Sequence, residues 1–169
     1  HQERAEDLYE QASSLLTKSL GPDHPAALAT AEERIQLYHF TGRPEKALDL
    51  ALRTIRATED RYGPGHPNTA QSYASTAVLA HSAKNWPTAY ELMKGAEAIW
   101  LELKPQPLDV LANCRLNLAT CLIEMAKYSE ADAALSLVDI DKFPNLSATV
   151  GNLRARLEQL QGEPVSEEA

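Results

Sequence analysis

The pentapeptide Gly21-Pro22-Asp23-His24-Pro25 returns as Gly63-Pro64-Gly65-His66-Pro67, a displacement of 42 residues. The same step carries Gly42-Arg43-Pro44-Glu45-Lys46-Ala47 onto Lys84-Asn85-Trp86-Pro87-Thr88-Ala89 and then onto Ala126-Lys127-Tyr128-Ser129-Glu130-Ala131. A step backward from Ala47 lands on Ala5, so alanines at 5, 47, 89 and 131 share one register. A fixed period of this length marks stacked supersecondary units, each too small to bury its own apolar face.

The composition is compatible with such a stack. Hydrophobic residues make up 44% of the 169, enough for a buried core. The formal net charge is −8, and no basic stripe is present, which argues against a nucleic-acid partner. No apolar run approaches the roughly 20 residues of a membrane helix, so no membrane partner is expected. Cys114 and Cys121 are seven apart. On one helix that is roughly 10 Å, too far for a disulfide, so two buried thiols without metal or redox roles are expected, as suits a reducing compartment. A cytoplasmic location is the expectation, with periplasm and secretion left open. The chain opens on His1 with no signal-peptide pattern, which leads us to expect a processed product or a piece excised from a longer chain.

Residues 2–20 carry Ala5, Leu8, Tyr9, Ala12, Leu15 and Leu16 at helical spacing and are read as a first helix. Gly21 stops it, and Pro25, at home in a first helical turn, starts a second running to about Thr41. The same reading predicts helices at about 44–62, 67–83, 87–103, 108–126, 128–138 and 145–161. No segment alternates with period two, and breakers fall only at the joints. An all-α chain of about eight helices, in antiparallel pairs joined by short turns, follows. The divisions are a partial repeat at 1–23, repeats at 24–65, 66–107 and 108–143, and the closing helix at 145–161. Residues 162–169 are acidic and expected to be disordered.

The pairs resemble tetratricopeptide repeats, and the 42-residue version with its Gly-Pro-Asp-His-Pro turn resembles those of kinesin light chains. The closest local match is Asn117-Leu118-Ala119-Thr120-Cys121-Leu122 followed by Ala126 to Ala131. The small residues have a physical reason: where helices A and B of a pair cross, a side chain larger than alanine would push the axes beyond the usual 8–10 Å or so. Ala47, Ala89 and Ala131 open the B helices, and Ala77 and Ala119 face them. Repeat two departs, with Ile35 in the small position and Arg34 where leucine is usual, and its packing is expected to differ locally.

The resemblance implies a right-handed superhelical solenoid whose A helices line a concave groove that binds a peptide or another protein. Carried over position by position, the lining is Ala29, Glu32, Gln36, His39 and Phe40, then Gln71, Ala74, Val78, His81 and Ser82. Repeat four adds Asn113, Leu116, Asn117, Thr120, Ile123 and Glu124. Asn113 and Asn117 are the leading contacts, because a side-chain amide can pair with both backbone groups of an extended peptide. A clamp for a terminal carboxylate would need cations at paired positions where this chain has Ala29 with Glu33, Gln71 with Ser75 and Asn113 with Asn117, so none is expected.

His39 and His81 are one repeat apart, but the third member of their row is Ile123 and no carboxylate or cysteine completes a metal set. His24 and His66 are expected to pack or hydrogen-bond at helix starts. Trp86 and Trp100 are read as packing residues of B helices. Glu45, Asp49, Glu59, Asp60, Glu91 and Glu97 are read as mostly solvated convex face. No phosphate loop, nucleophile motif or zinc spacing appears, so neither enzyme activity nor a cofactor is expected. Two alternatives to a scaffold that binds a peptide or protein stay open. One is self-association, with a homodimer formed through the apolar face (Leu8, Ala12, Leu15) of the first helix, which lacks its A partner here. The other is a regulatory sensor arm of a larger protein.

Overall fold

The computed structural model describes residues 2–162, leaving aside the side chains of Gln2, Glu3 and Ala5. Ala5 as the first of the register alanines, and the disorder expected of the tail from residue 163, therefore lie outside the described residues. Among these residues there are eight α-helices and one short 3₁₀ turn. They are α1 (Gln2–Leu20), α2 (Pro25–Phe40), α3 (Pro44–Tyr62), α4 (Pro67–Ser82), α5 (Trp86–Glu102), α6 (Leu108–Glu124), α7 (Tyr128–Ser136) and α8 (Ser147–Gly162), with the 3₁₀ turn at Pro144–Leu146. No strand occurs among the described residues. The chain divides into two compact units, residues 1–99 and 100–169, with the division inside α5.

The period is written into the backbone at both kinds of turn. After α2, Gly42 has φ 71°, its N–H donates to His39 O at 3.2 Å, and the Arg43 N–H donates to Tyr38 O at 2.9 Å. This pair of bonds closes a helix through a left-handed residue and satisfies carbonyls that the helix end leaves orphaned. The same two bonds recur at Lys84 and Asn85 after α4, and at Ala126 and Lys127 after α6. Lys84 and Ala126 take φ of 55° and 57° without glycine's freedom.

The turns that lead into the A helices use the pentapeptide. Gly21 and Gly63 sit at φ 95° and 92°. His24 and His66 then cap the next helix: the imidazole Nδ1 accepts the Ala26 N–H at 3.2 Å and the Asn68 N–H at 3.1 Å. Pro25 and Pro67 follow at the first helical position. The expected role of the histidines at the helix start is thus a specific one, acceptor for a donor that no carbonyl reaches. Before α6 the turn has no histidine, and Pro107 offers no side-chain cap.

In the first unit α1 packs on α2, α2 on α3 and α3 on α4. Ala47, Ala77 and Ala89 are at most 1% exposed, as the small positions at helix crossings require. Repeat two differs as its sequence suggests. Ile35 is only half-buried and lines a cleft. Arg34 turns towards Tyr38, whose ring also carries the Arg43 guanidinium at 4.9 Å. Arg43 in turn donates to Glu6 Oε2 at 2.6 Å, which ties α1 to the start of α3. On α1 itself, Glu6, Tyr9, Ser13 and Leu16 form the half-buried side, while Leu8, Ala12 and Leu15 are exposed, as a face without a partner helix should be. Farther along, Tyr73 of α4 donates its hydroxyl to the Glu59 carboxylate, and its ring lies against Gly95 of α5. In the second unit α6, α7 and α8 pack on one another around Leu111, Ala119, Leu135 and Val150. Cys114 and Cys121 are buried there without a disulfide, and burial pushes the Cys121 thiol up to about 11.

Two expectations are corrected. Glu97 is not solvated but 6% exposed and bound to Lys94 Nζ at 2.8 Å, and Glu59 is half-buried as acceptor for Tyr73. The sixth helix ends at Glu124, before the left-handed Ala126 that closes it.

Candidate functional site

Within the first unit, α2 and α4 form the walls of a cleft of about 560 Å³ with α3 beneath. The A-helix wall positions recur at three- and four-residue steps along α2, which brings Ala29, Glu32, Gln36, His39 and Phe40 to one side of the cleft. From α4 come Asn68, Gln71, Ser72 and Ser75, and from α3 come Ala51, Thr54, Thr58 and Tyr62.

The chemistry of the lining is mostly that of uncharged polar groups. Gln36 and Gln71 are exposed amides, each able to give and take a hydrogen bond. Thr54 and Thr58 spend their hydroxyl protons on Leu50 O at 2.9 Å and Thr54 O at 3.1 Å, leaving oxygen lone pairs to accept. The Nδ1 atom of His39 is buried without a partner, while its ring leans on Phe40 at 5.8 Å between centroids. Phe40 is 81% exposed, a large apolar surface at the end of the wall. Glu32 is the only carboxylate among the described residues of the lining, and no lysine or arginine joins it. The enclosing walls strip part of its water and raise its pKa above the ordinary carboxylate value, with the neighbouring Glu33 adding repulsion.

The site residues named from the sequence divide as follows. Gln36, His39, Phe40 and Gln71 come together in the cleft. Val78 and His81, also on α4, are exposed but outside its lining; His81 meets Trp86 edge-on at 4.8 Å. In the second unit Asn113 and Asn117 are exposed on α6, with Asn113 Nδ2 donating to Asp109 O at 2.8 Å. Thr120 is half-buried and donates to Leu116 O at 2.9 Å. Leu116 is 7% exposed, a core residue with almost no surface to offer a ligand, and Ile123 is buried too. Glu124 is engaged by Arg156 of α8 at 2.7 Å. Thr54, Thr58, Tyr62 and Asn68 join the lining without having been expected there. The one hint of them in the sequence is the pair of threonines four apart on α3, in helical step with Ala47 and Ala51.

Among the described residues no three or more His, Cys, Asp or Glu are grouped to hold a metal ion. No helix among them is long and apolar enough to cross a membrane.

Comparison with known proteins agrees with this architecture. Residues 2–60 match the tetratricopeptide repeat family. A clustered mitochondria protein homolog of Aspergillus oryzae is 26% identical over 127 residues, 75% of this chain and 10% of the relative. The protein KINESIN LIGHT CHAIN-RELATED 2 of Arabidopsis thaliana is 29% identical over 79 residues, 47% of this chain and 12% of the relative. The chain thus spans about a tenth of the length of these curated relatives. Among solved structures, the nearly identical TPR-like repeats of a Podosopora anserina protein described as a kinesin light chain superpose with a TM-score of 0.72 at 19% identity, covering 99% of this chain and 90% of that one. BtubC (BKLC) from P. vanneervenii gives 0.68 at 16% identity, over 99% of this chain and 61% of that one. The turn geometry and the alanine register agree with these matches: residues 2–60 carry the tetratricopeptide repeat pattern, and the fold of the chain is similar to that of kinesin light chain-like TPR repeats.

Proposed function

We propose that this chain is a non-enzymatic binding module that receives an extended peptide segment of a partner protein in the cleft between α2 and α4. The observation that carries the reading is the cleft itself: about 560 Å³, walled by two A helices that present amides and hydroxyls rather than a packed apolar surface. An extended chain needs partners for its N–H and C=O groups, and Gln36, Gln71, Ser75 and the threonines of α3 supply both donors and acceptors. Phe40 supplies an apolar anchor. In the second unit, the exposed Asn113 and Asn117 of α6, with the Thr120 hydroxyl beside them, give the same amide chemistry. We count them as a peptide-contacting surface of that unit, and Val78 and His81 on α4 as further contacts in the first.

The test is selection from a library of random hexapeptides capped at both ends, using the full chain and an Ala29→Trp variant. Ala29 is an exposed wall residue, so the indole fills the cleft without entering the core. Peptides retained by the wild type and lost by Ala29→Trp support the cleft. Equal retention by both places binding elsewhere. Asn117→Ala asks the same of α6, where unchanged binding removes that residue from the site.

A second reading has an observation of its own. Leu8 and Leu15 on α1 are 59% and 66% exposed and two turns apart on one face with Ala12, so α1 can pair with a second copy of itself. Light scattering across a concentration series decides: a mass that stays at one chain throughout rejects the homodimer, and a dimer abolished by Leu15→Glu supports it.

A further inference from the structure

Glu32 is the one formal charge facing the cleft, and no cation among the described residues pairs with it. Elsewhere in the first unit the acidic groups with inward roles have partners: Glu6 has Arg43, Glu97 has Lys94 and Glu59 has the Tyr73 hydroxyl. Glu32 is exposed on the cleft wall, so its carboxylate is open to a cation that a bound chain brings. The remaining lining adds no positive residue that would repel such a ligand. The second fixed point is Phe40, eight residues farther along α2. That is about 12 Å at 1.5 Å per residue, a distance an extended chain covers in about four residues.

We propose that the cleft selects an extended segment bearing a lysine or arginine against Glu32 and an apolar side chain about four residues away against Phe40. This rests on the cleft being the binding site and adds the chemistry of what it selects. The charge balance excludes acidic segments, because nothing in the lining would compensate them and Glu32 would repel them.

The same capped hexapeptide library tests it on the full chain. The wild type is expected to enrich Lys or Arg at one position and Leu, Ile, Met or an aromatic residue three to five positions away. The best peptide, resynthesised and labelled, should bind Glu32→Gln about tenfold more weakly, as expected for loss of one charge-assisted hydrogen bond. Glu32→Lys should reverse the selection towards Asp and Glu, and Phe40→Ala should remove the apolar preference while leaving the cationic one. Circular dichroism checks that each variant folds; both positions lie on the cleft surface, Phe40 at a helix end.

The outcomes separate the two readings. If Ala29→Trp abolishes retention but the enriched peptides are neutral or acidic, or bind Glu32→Gln as tightly as the wild type, the cleft stands and the cationic preference is wrong. If Ala29→Trp retains the same peptides, or the wild type enriches none, the cleft itself is not the site and both readings fall.

Discussion

Gly95 offers the sharpest test of the packing that holds α4 in place. A Cβ built on Gly95 would stand 2.9 Å from both Cδ2 and Cε2 of the Tyr73 ring, closer than real Cβ contacts come. The ring cannot simply retreat, because the Tyr73 hydroxyl donates to the Glu59 carboxylate. That bond is firm enough to push the tyrosine up to about 12. Two opposed effects therefore set the outcome of Gly95→Ala. Alanine in a helix interior is favoured over glycine by about 1 kcal/mol. Forcing a methyl into a filled contact costs about 1–3 kcal/mol. With the ring anchored, the second should win, and a net loss of roughly 1 kcal/mol is expected, or about 2–4 °C in Tm for a chain of this size. In a Tyr73→Ala background the clash is gone and only the helix preference remains. There Gly95→Ala should stabilise by about 1 kcal/mol, a coupling of roughly 2 kcal/mol between the sites. Urea unfolding of the four proteins, followed by circular dichroism at 222 nm or so, measures this. If Gly95→Ala stabilises the wild type as much as it stabilises Tyr73→Ala, the close approach is not what makes glycine necessary.

Three further outcomes follow from other contacts. Ala126→Gly should stabilise the chain by about 0.5–1 kcal/mol, because relief of a left-handed alanine outweighs the added freedom of the unfolded glycine; thermal melts check it, and a loss of stability would contradict the turn geometry. His66→Ala removes the acceptor for the Asn68 N–H and the stacked contact with Tyr62 at 5.2 Å. It should cost about 1 kcal/mol, while His66→Asp, which keeps a capping oxygen, should recover most of that. The hydrogen bond from Arg43 holds the Glu6 carboxyl below its ordinary range, against the opposing pull of desolvation. Its folded value is thus lower than its unfolded one, so its contribution to docking of α1 is complete above the ordinary carboxylate value and lost as the pH falls through the lowered one. Hydrogen exchange of α1 amides should accelerate in that acid window in the wild type, and Glu6→Gln should flatten the dependence.

The helix pattern is readable because its punctuation is chemical. Pro25, Pro44 and Pro67 stand at first helical positions, and Gly21, Gly42 and Gly63 at positive-φ stops, so the ends of α2 and α3 fall within a residue of the sequence reading. Where the stop is Ala126 the residue type carries no such signal, and the apolar spacing runs on two residues past the true end. The walls of the cleft are legible for the same reason as the fold, since the repeat places A-helix residues in known register. Its floor is not. Thr54, Thr58 and Tyr62 belong to a B helix, and whether a B-helix residue reaches the cleft depends on how far the A helices splay above it. At Ile35 the branched side chain stands where other repeats have alanine, and it lines the cleft instead of vanishing into the crossing. Glu59 and Glu97 escape a sequence reading because their surroundings are set by packing: Tyr73 comes from another helix, and the burial of Glu97 leaves no trace in its neighbours along the chain.

The capping histidines also report on themselves. An imidazole that accepts at Nδ1 must carry its proton on Nε2, so His24 and His66 are each fixed in one tautomer by the helix they start. The ring nitrogens of the two tautomers differ in ¹⁵N chemical shift, which makes each pentapeptide turn a spectroscopic reporter of its own integrity. A partner that tightens or loosens the first unit would be seen at its turns as well as in its cleft. No label beyond isotopic nitrogen would have to be introduced.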